Sequence, residues 1–155
     1  MIATLLISAT ITTGLVAGLL YGFACAVLPG LRQVEDDTFV AAFRAINRRI
    51  INGWFVVTFL GSPVLIAATG VAQFVAGGRQ PWLPMLAAAA LTVLSLAITG
   101  GINVPLNNAL DAADPVTGPS LARSSFETRW VRANIARSVA STAAFGCLIW
   151  AITIS

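Results

Sequence analysis

Long uncharged apolar runs alternate along the chain with shorter stretches that hold nearly all of its charge. The first run covers residues 2–28 and meets Pro29-Gly30. A helix of that length reaches about 40 Å, enough to cross a ~30 Å hydrocarbon core with some tilt. It has no basic leader, and its apolar stretch is longer than that of a signal sequence, so it reads as a retained span. The second run covers residues 50–76, and Ser62-Pro63 inside it predicts a kink. A short turn at residues 77–81 leads to a third run at 82–103, which ends on Asn103-Val104-Pro105. The fourth covers residues 130–154 and is polar over its first two turns. This pattern predicts an all-α protein, one membrane domain over residues 1–155 folded as an up-down four-helix bundle.

The connection between the first two spans is not a plain loop. Asp36, Asp37 and Thr38 can start a helix, and Phe39, Phe43, Ile46 and Ile50 then fall on one stripe at helical spacing. Asp37, Arg44 and Arg48 are displaced to the other side. The expectation is an amphipathic cytoplasmic helix that leads straight into span two. It serves either as an interfacial anchor or as a lid that turns Asn47, Arg48 and Asn52 toward the bundle. In span one, Gly14, Gly18 and Gly22 form a GxxxGxxxG ridge, expected to pack within the chain rather than between two copies.

Composition narrows the chemistry. Hydrophobic residues make up 57% of the 155 and charged residues 10%, too few to solvate a water-soluble domain. With no histidine, a His-held haem and His-rich metal sites are disfavoured, and no phosphate-cradling glycine motif follows a strand-like run. Cys25 and Cys147 form no CxxC pair and sit at different depths, so two free, buried thiols are expected. All nine cationic side chains are arginines, and only Arg79 lies on the side opposite the other eight. That bias predicts a plasma-membrane protein, of bacterial type, with both polar connections cytoplasmic and both termini outside; it gives no support to nucleic-acid binding.

Polar residues in the spans supply the candidate site. Thr92, Ser95, Thr99 and Asn103 lie near one stripe of span three, with Asn107 and Asn108 just beyond Pro105. A helix ending at this proline would expose carbonyls that suit an arginine from a neighbouring element. Glu127, Trp130, Asn134, Arg137, Ser138 and Ser141 recur at steps of three and four, one polar face of one helix. An arginine near mid-membrane costs about 2.5–3.5 kcal/mol on insertion scales, so it either snorkels to the headgroups or faces a partner inside. Asn47, Arg48, Asn52, Asn103, Asn107, Trp130, Asn134 and Arg137 therefore form one candidate pocket: amides and guanidinium groups at one end of an apolar bundle.

Several segments resemble the anthrone oxygenase-like family of membrane proteins. They are the stretch from Gly14 that ends in Val27-Leu28-Pro29-Gly30-Leu31, then Phe43-Arg44-Ala45-Ile46-Asn47-Arg48, Asn103-Val104-Pro105-Leu106-Asn107-Asn108-Ala109-Leu110, and Trp130-x3-Asn134-x2-Arg137. Their order and spacing agree over nearly the whole chain. The resemblance implies a four-helix membrane fold and oxidation of anthrones to anthraquinones by molecular oxygen, with no metal or flavin cofactor.

The leading functional expectation is a cofactor-independent oxygenase of anthrone-like or phenolic lipophilic molecules. Arg137, Asn134 and Arg48 would act on a developing enolate, while Asn47, Asn52, Asn103, Asn107 and Trp130 would bind the ring and its oxygens. A base is harder to find: Glu127, the acidic residues 35–37, Tyr21 or water. The alternative is a non-catalytic protein that binds a membrane lipid or quinone, a homo-oligomer or a subunit of a membrane complex. Proton-coupled export ranks last, because no carboxylate falls within a span core.

Overall fold

The computed structural model describes residues 1–77, 81–114 and 118–155, and every regular element among them is helical. Helix α1 is Ile2–Leu31, α2 Asp36–Ile50, α3 Gly53–Ala76, α4 Trp82–Ala112 and α5 Pro119–Thr153. All but α2 are long and apolar enough to cross a membrane, and α2 is the amphipathic helix expected before the second span. α1 packs against both α3 and α5, and α4 packs against α5. α3 and α4 touch far less, although they are neighbours in sequence. Arg79, which carries one side of the charge bias, lies outside the described residues.

Three expected boundaries move, two of them for one reason. Neither Pro29 nor Pro105 ends its helix: α1 continues to Leu31, and α4 continues past Asn103 to Ala112. A π-helical turn precedes each proline, at Phe23–Val27 and at Thr99–Asn103. The N–H of Leu28 bonds to the Phe23 carbonyl and that of Val104 to the Thr99 carbonyl, five residues back in each case. Widening the turn relieves the clash between a proline ring and the carbonyl four residues earlier, so the helix runs on. The fourth helix starts at Pro119 instead of residue 130, because no glycine or proline interrupts residues 120–145.

One expected continuity breaks. α2 does not run straight into the second span, which starts at Gly53 and not at residue 50. Ile51 and Asn52 leave helical geometry, and the Asn52 Oδ1 accepts the Phe55 N–H at 3.1 Å as a side-chain cap.

The two halves of the chain repeat one plan. Each has a span with a π-turn and proline near its end, then an amphipathic stretch, then a second span. The amphipathic stretches carry Phe39-x3-Phe43-x3-Asn47 and Phe126-x3-Trp130-x3-Asn134. Their aromatic rings meet: Phe39 stacks on Phe43 and Phe126 on Trp130, while Phe43 contacts Phe126 edge-on at 4.7 Å and Trp130 at 4.9 Å. Each stretch also ties down the other half. Arg44 donates to the Leu110 and Ala113 carbonyls at the end of α4. Arg123 donates to the Arg32 and Val34 carbonyls beyond α1 and pairs with Asp36 and Glu127. An arginine at the end of the third span was expected, though one helical stretch earlier than where Arg44 binds.

This aromatic cluster forms one apolar core, and Leu6, Ala9, Ile66, Met85, Ala88, Leu148 and Ala151 form another toward the termini. A polar layer lies between them. Hydroxyl pairs Thr13–Ser62 at 2.7 Å and Ser95–Ser141 at 3.1 Å clasp α1 to α3 and α4 to α5. Of the glycine ridge only Gly14 is in close packing, where an added Cβ would lie 2.8 Å from the Phe145 ring; Gly18 and Gly22 face open space. The thiols are free, yet Cys25 is exposed and Cys147 half-buried, so neither is the buried group expected. Gly14→Val should destabilise the bundle by about 1–3 kcal/mol, seen as a lower melting temperature in detergent, whereas Gly18→Ala should leave it unchanged.

Candidate functional site

A cavity of about 250 Å³ opens between the aromatic core and the polar layer. α1 contributes Leu20 and Phe23, α2 Phe43 and Asn47, and α3 the stacked pair Phe55 and Phe59, with rings 5.1 Å apart. α4 adds Thr99, Asn103 and Asn107, and α5 adds Trp130, Asn134 and Arg137. Most of the wall is apolar, and its polar atoms converge from α2, α4 and α5, the arrangement of a site for a flat lipophilic molecule.

Arg137 is the charged group of this cavity. Its residue is only 7% exposed, so it does not snorkel to the membrane surface. The Nη2 donates to the Asn134 Oδ1 at 2.9 Å and the Nη1 to the Thr99 Oγ1 at 3.2 Å. Its Cζ lies 5.5 Å from the centre of the Trp130 ring. The Nε has no partner among the described residues, and no carboxylate lines the cavity there. Asn134 is fully buried and fixes this geometry from behind, since its Nδ2 donates to the Leu20 carbonyl at 3.1 Å. One amide thus orients the guanidinium and joins α5 to α1, just before the π-turn of α1.

Asn103 stands at the last position of the π-turn in α4, 1% exposed. Neither its Oδ1 nor its Nδ2 has a partner among the described residues, although both are buried. Leaving one such polar atom unpaired costs about 1–3 kcal/mol, so a donor and an acceptor are held toward the cavity at some expense in stability. The neighbouring amides are spent on one another. The Trp130 Nε1 donates to the Asn107 Oδ1 at 2.7 Å, and the Asn107 Nδ2 donates to the Asn47 Oδ1 at 2.9 Å. That chain links α5, α4 and α2 and closes the arginine-rich end of the cavity.

Two candidates lie elsewhere. Arg48 points outward and pairs with Asp111 at 3.2 Å, with both side chains more than half exposed. Asn52 caps α3 and donates to the Arg49 carbonyl, so the break between α2 and α3 consumes both ends of its amide. The proposed bases also stand apart. Glu127 is held between Arg32 and Arg123, and Tyr21 is exposed on α1. The sequence did not single out Phe55 and Phe59, and it noted Thr99 on the polar stripe of span three without placing it in the pocket. The i,i+4 spacing of the two phenylalanines was the available signal.

Stability separates the support from the charge. Asn134→Leu should lower the melting temperature markedly, because it takes from the buried Arg137 guanidinium one of its two acceptors and unties α5 from the Leu20 carbonyl. Arg137→Met should leave the melting temperature unchanged or raise it, since an apolar side chain of similar length replaces a buried cation without a carboxylate. Thermal unfolding of both variants in the same detergent checks the pair; a large loss for Arg137→Met would make the arginine a structural residue.

No curated protein and no solved structure matches the chain. The sequence model of the anthrone oxygenase family matches residues 54–147, from the start of α3 to the last turns of α5, and so covers Asn103, Asn107, Trp130, Asn134 and Arg137. The chain belongs to the anthrone oxygenase family.

Proposed function

We propose that the protein is a membrane-embedded oxygenase that converts anthrone-like or phenolic lipophilic substrates with molecular oxygen, the cavity at Arg137 being its active site. One observation carries this reading: among the described residues, a buried guanidinium with no carboxylate beside it faces an apolar cavity next to the unpaired amide of Asn103. A neutral lipid tail satisfies neither group. An aromatic enolate satisfies both, placing its negative oxygen near Arg137 and a second oxygen near Asn103.

The reaction needs little more from the chain. Binding as the enolate makes the ring electron-rich enough to reduce oxygen directly. The ring methylene loses both hydrogens and becomes a carbonyl; one atom of O2 enters that carbonyl and the other leaves as water. Arg137 stabilises the anion, Asn134 and Thr99 hold Arg137 in place, and the aromatic wall excludes bulk water. Arg48 and Asn52 have no part in it. No carboxylate lines the cavity among the described residues, so the substrate loses its first proton to water at the membrane surface and binds as the enolate. The substrate reaches the cavity from the bilayer, where both belong.

Oxygen uptake by purified protein with an anthrone tests this. Arg137→Ala should lower kcat/KM by about 10²–10³-fold, as loss of a group that stabilises an oxyanion does. Turnover as fast as the parent's would remove Arg137 from the mechanism. With no protein base, the rate should rise with pH along the substrate's own ionisation to a plateau. A bell-shaped profile would instead require a titrating side chain. A lipid or quinone that co-purifies at one per chain, with no oxygen uptake, would favour a binding protein.

A further inference from the structure

Two smaller hollows lie on the side of the cavity away from its arginine-rich end. The first is a chamber of about 20 Å³ surrounded by Thr13, Ser62, Thr92, Ser95 and Ser141, and it shares Val16 and Phe59 with the cavity. The second is an apolar groove of about 220 Å³ between α3 and α4, floored by Ala67, Gly70, Met85 and Ala89. Thr92 belongs to both chamber and groove. The groove opens where α3 and α4 barely touch, on the face turned to lipid.

We propose that groove and chamber form a route for molecular oxygen from the bilayer interior to the cavity, with Thr92 at its narrowest point and Phe59 at its inner end. The purpose of the route rests on the oxygenase reading; its geometry does not. A bound aromatic molecule would fill the 250 Å³ cavity and block the way by which it arrived. Oxygen then needs a second approach. An apolar diatomic gas prefers hydrocarbon to water, so the lipid-facing groove meets the richer supply. The chamber excludes both acyl chains and aromatic rings by size. At about 20 Å³ it holds no more than one water, which oxygen displaces in passing. Four of its five hydroxyls are bonded to each other in the pairs Thr13–Ser62 and Ser95–Ser141, and only the Thr92 Oγ1 is buried without a partner among the described residues.

The test blocks the route without touching the cavity. Thr92→Leu fills the chamber, Thr92→Val keeps its volume, and Gly70→Leu fills the groove at a position where an added Cβ meets nothing within 4 Å. Each is placed in lipid nanodiscs in a chain that keeps Trp130 while Trp54, Trp82 and Trp150 are replaced by Phe. With the cavity filled by a saturated tricyclic analogue that neither absorbs nor quenches, oxygen quenching of Trp130 fluorescence should fall in Thr92→Leu and Gly70→Leu and stay at the parent value in Thr92→Val. In the otherwise unaltered chain, the two filling variants should raise the KM for oxygen by about fivefold, with the KM for the anthrone unchanged. Gly70→Leu carries the test if Thr92→Leu fails to fold. Parental quenching in a folded filling variant would overturn the route. Reduced quenching in a protein that never consumes oxygen would support the route and overturn the oxygenase reading instead.

Discussion

A guanidinium buried among four membrane-crossing helices, held by an amide and a hydroxyl but matched by no carboxylate among the described residues, sets the terms for everything around it. Burying an unpaired cation is costly, and a bundle selected for stability alone would place leucine or methionine at position 137. The surrounding structure absorbs that cost in identifiable ways. Asn134 accepts from Arg137 while donating to the Leu20 carbonyl, and Thr99 accepts from Arg137 while donating to the Ser95 carbonyl. Apolar cores on both sides supply the stability that the polar layer does not.

The two π-turns connect backbone strain to this layer. Both occur because a proline follows, and both lie at the depth of the cavity. The turn in α4 places Asn103 facing inward with both amide atoms unpaired among the described residues, while α1 offers the Leu20 carbonyl to Asn134 just before its own turn. Irregular backbone of this kind inside a membrane is tolerated where protein or a cavity, and not lipid, surrounds it. The repeated plan of the two halves explains the arrangement further: equivalent aromatic-and-asparagine stretches come together and leave the cavity beneath them.

The spans were legible because charge-free runs admit few other folds in 155 residues. Trp130, Asn134 and Arg137 were legible for a local reason, since helical spacing alone puts them on one face. Asn52 lies away from the cavity because the helix breaks at Ile51-Asn52-Gly53, an Asn-Gly signal that the expected continuous helix passed over. Arg48 lies away because it sits on the side of α2 opposite the Phe39 and Phe43 stripe, as its spacing already indicated. The helix ends at Pro29 and Pro105 were misjudged because a π-turn lets a proline pass where an α-helix would stop. The repeat was present in plain view at Phe39-x3-Phe43-x3-Asn47 and Phe126-x3-Trp130-x3-Asn134. Unequal spacing hides it: far fewer residues separate Pro29 from Phe39 than Pro105 from Phe126.

If the uncompensated charge exists to hold an anionic ring oxygen, then ligand ionisation reports on it without any turnover. A hydroxyanthraquinone changes colour when it loses its phenolic proton. Titrated into the protein in nanodiscs below its solution pKa, it should show the spectrum of the anion, and the Arg137→Met variant should bind it, if at all, as the neutral phenol. A neutral spectrum in the parent protein, or the same anionic spectrum in both, would contradict the role given to Arg137.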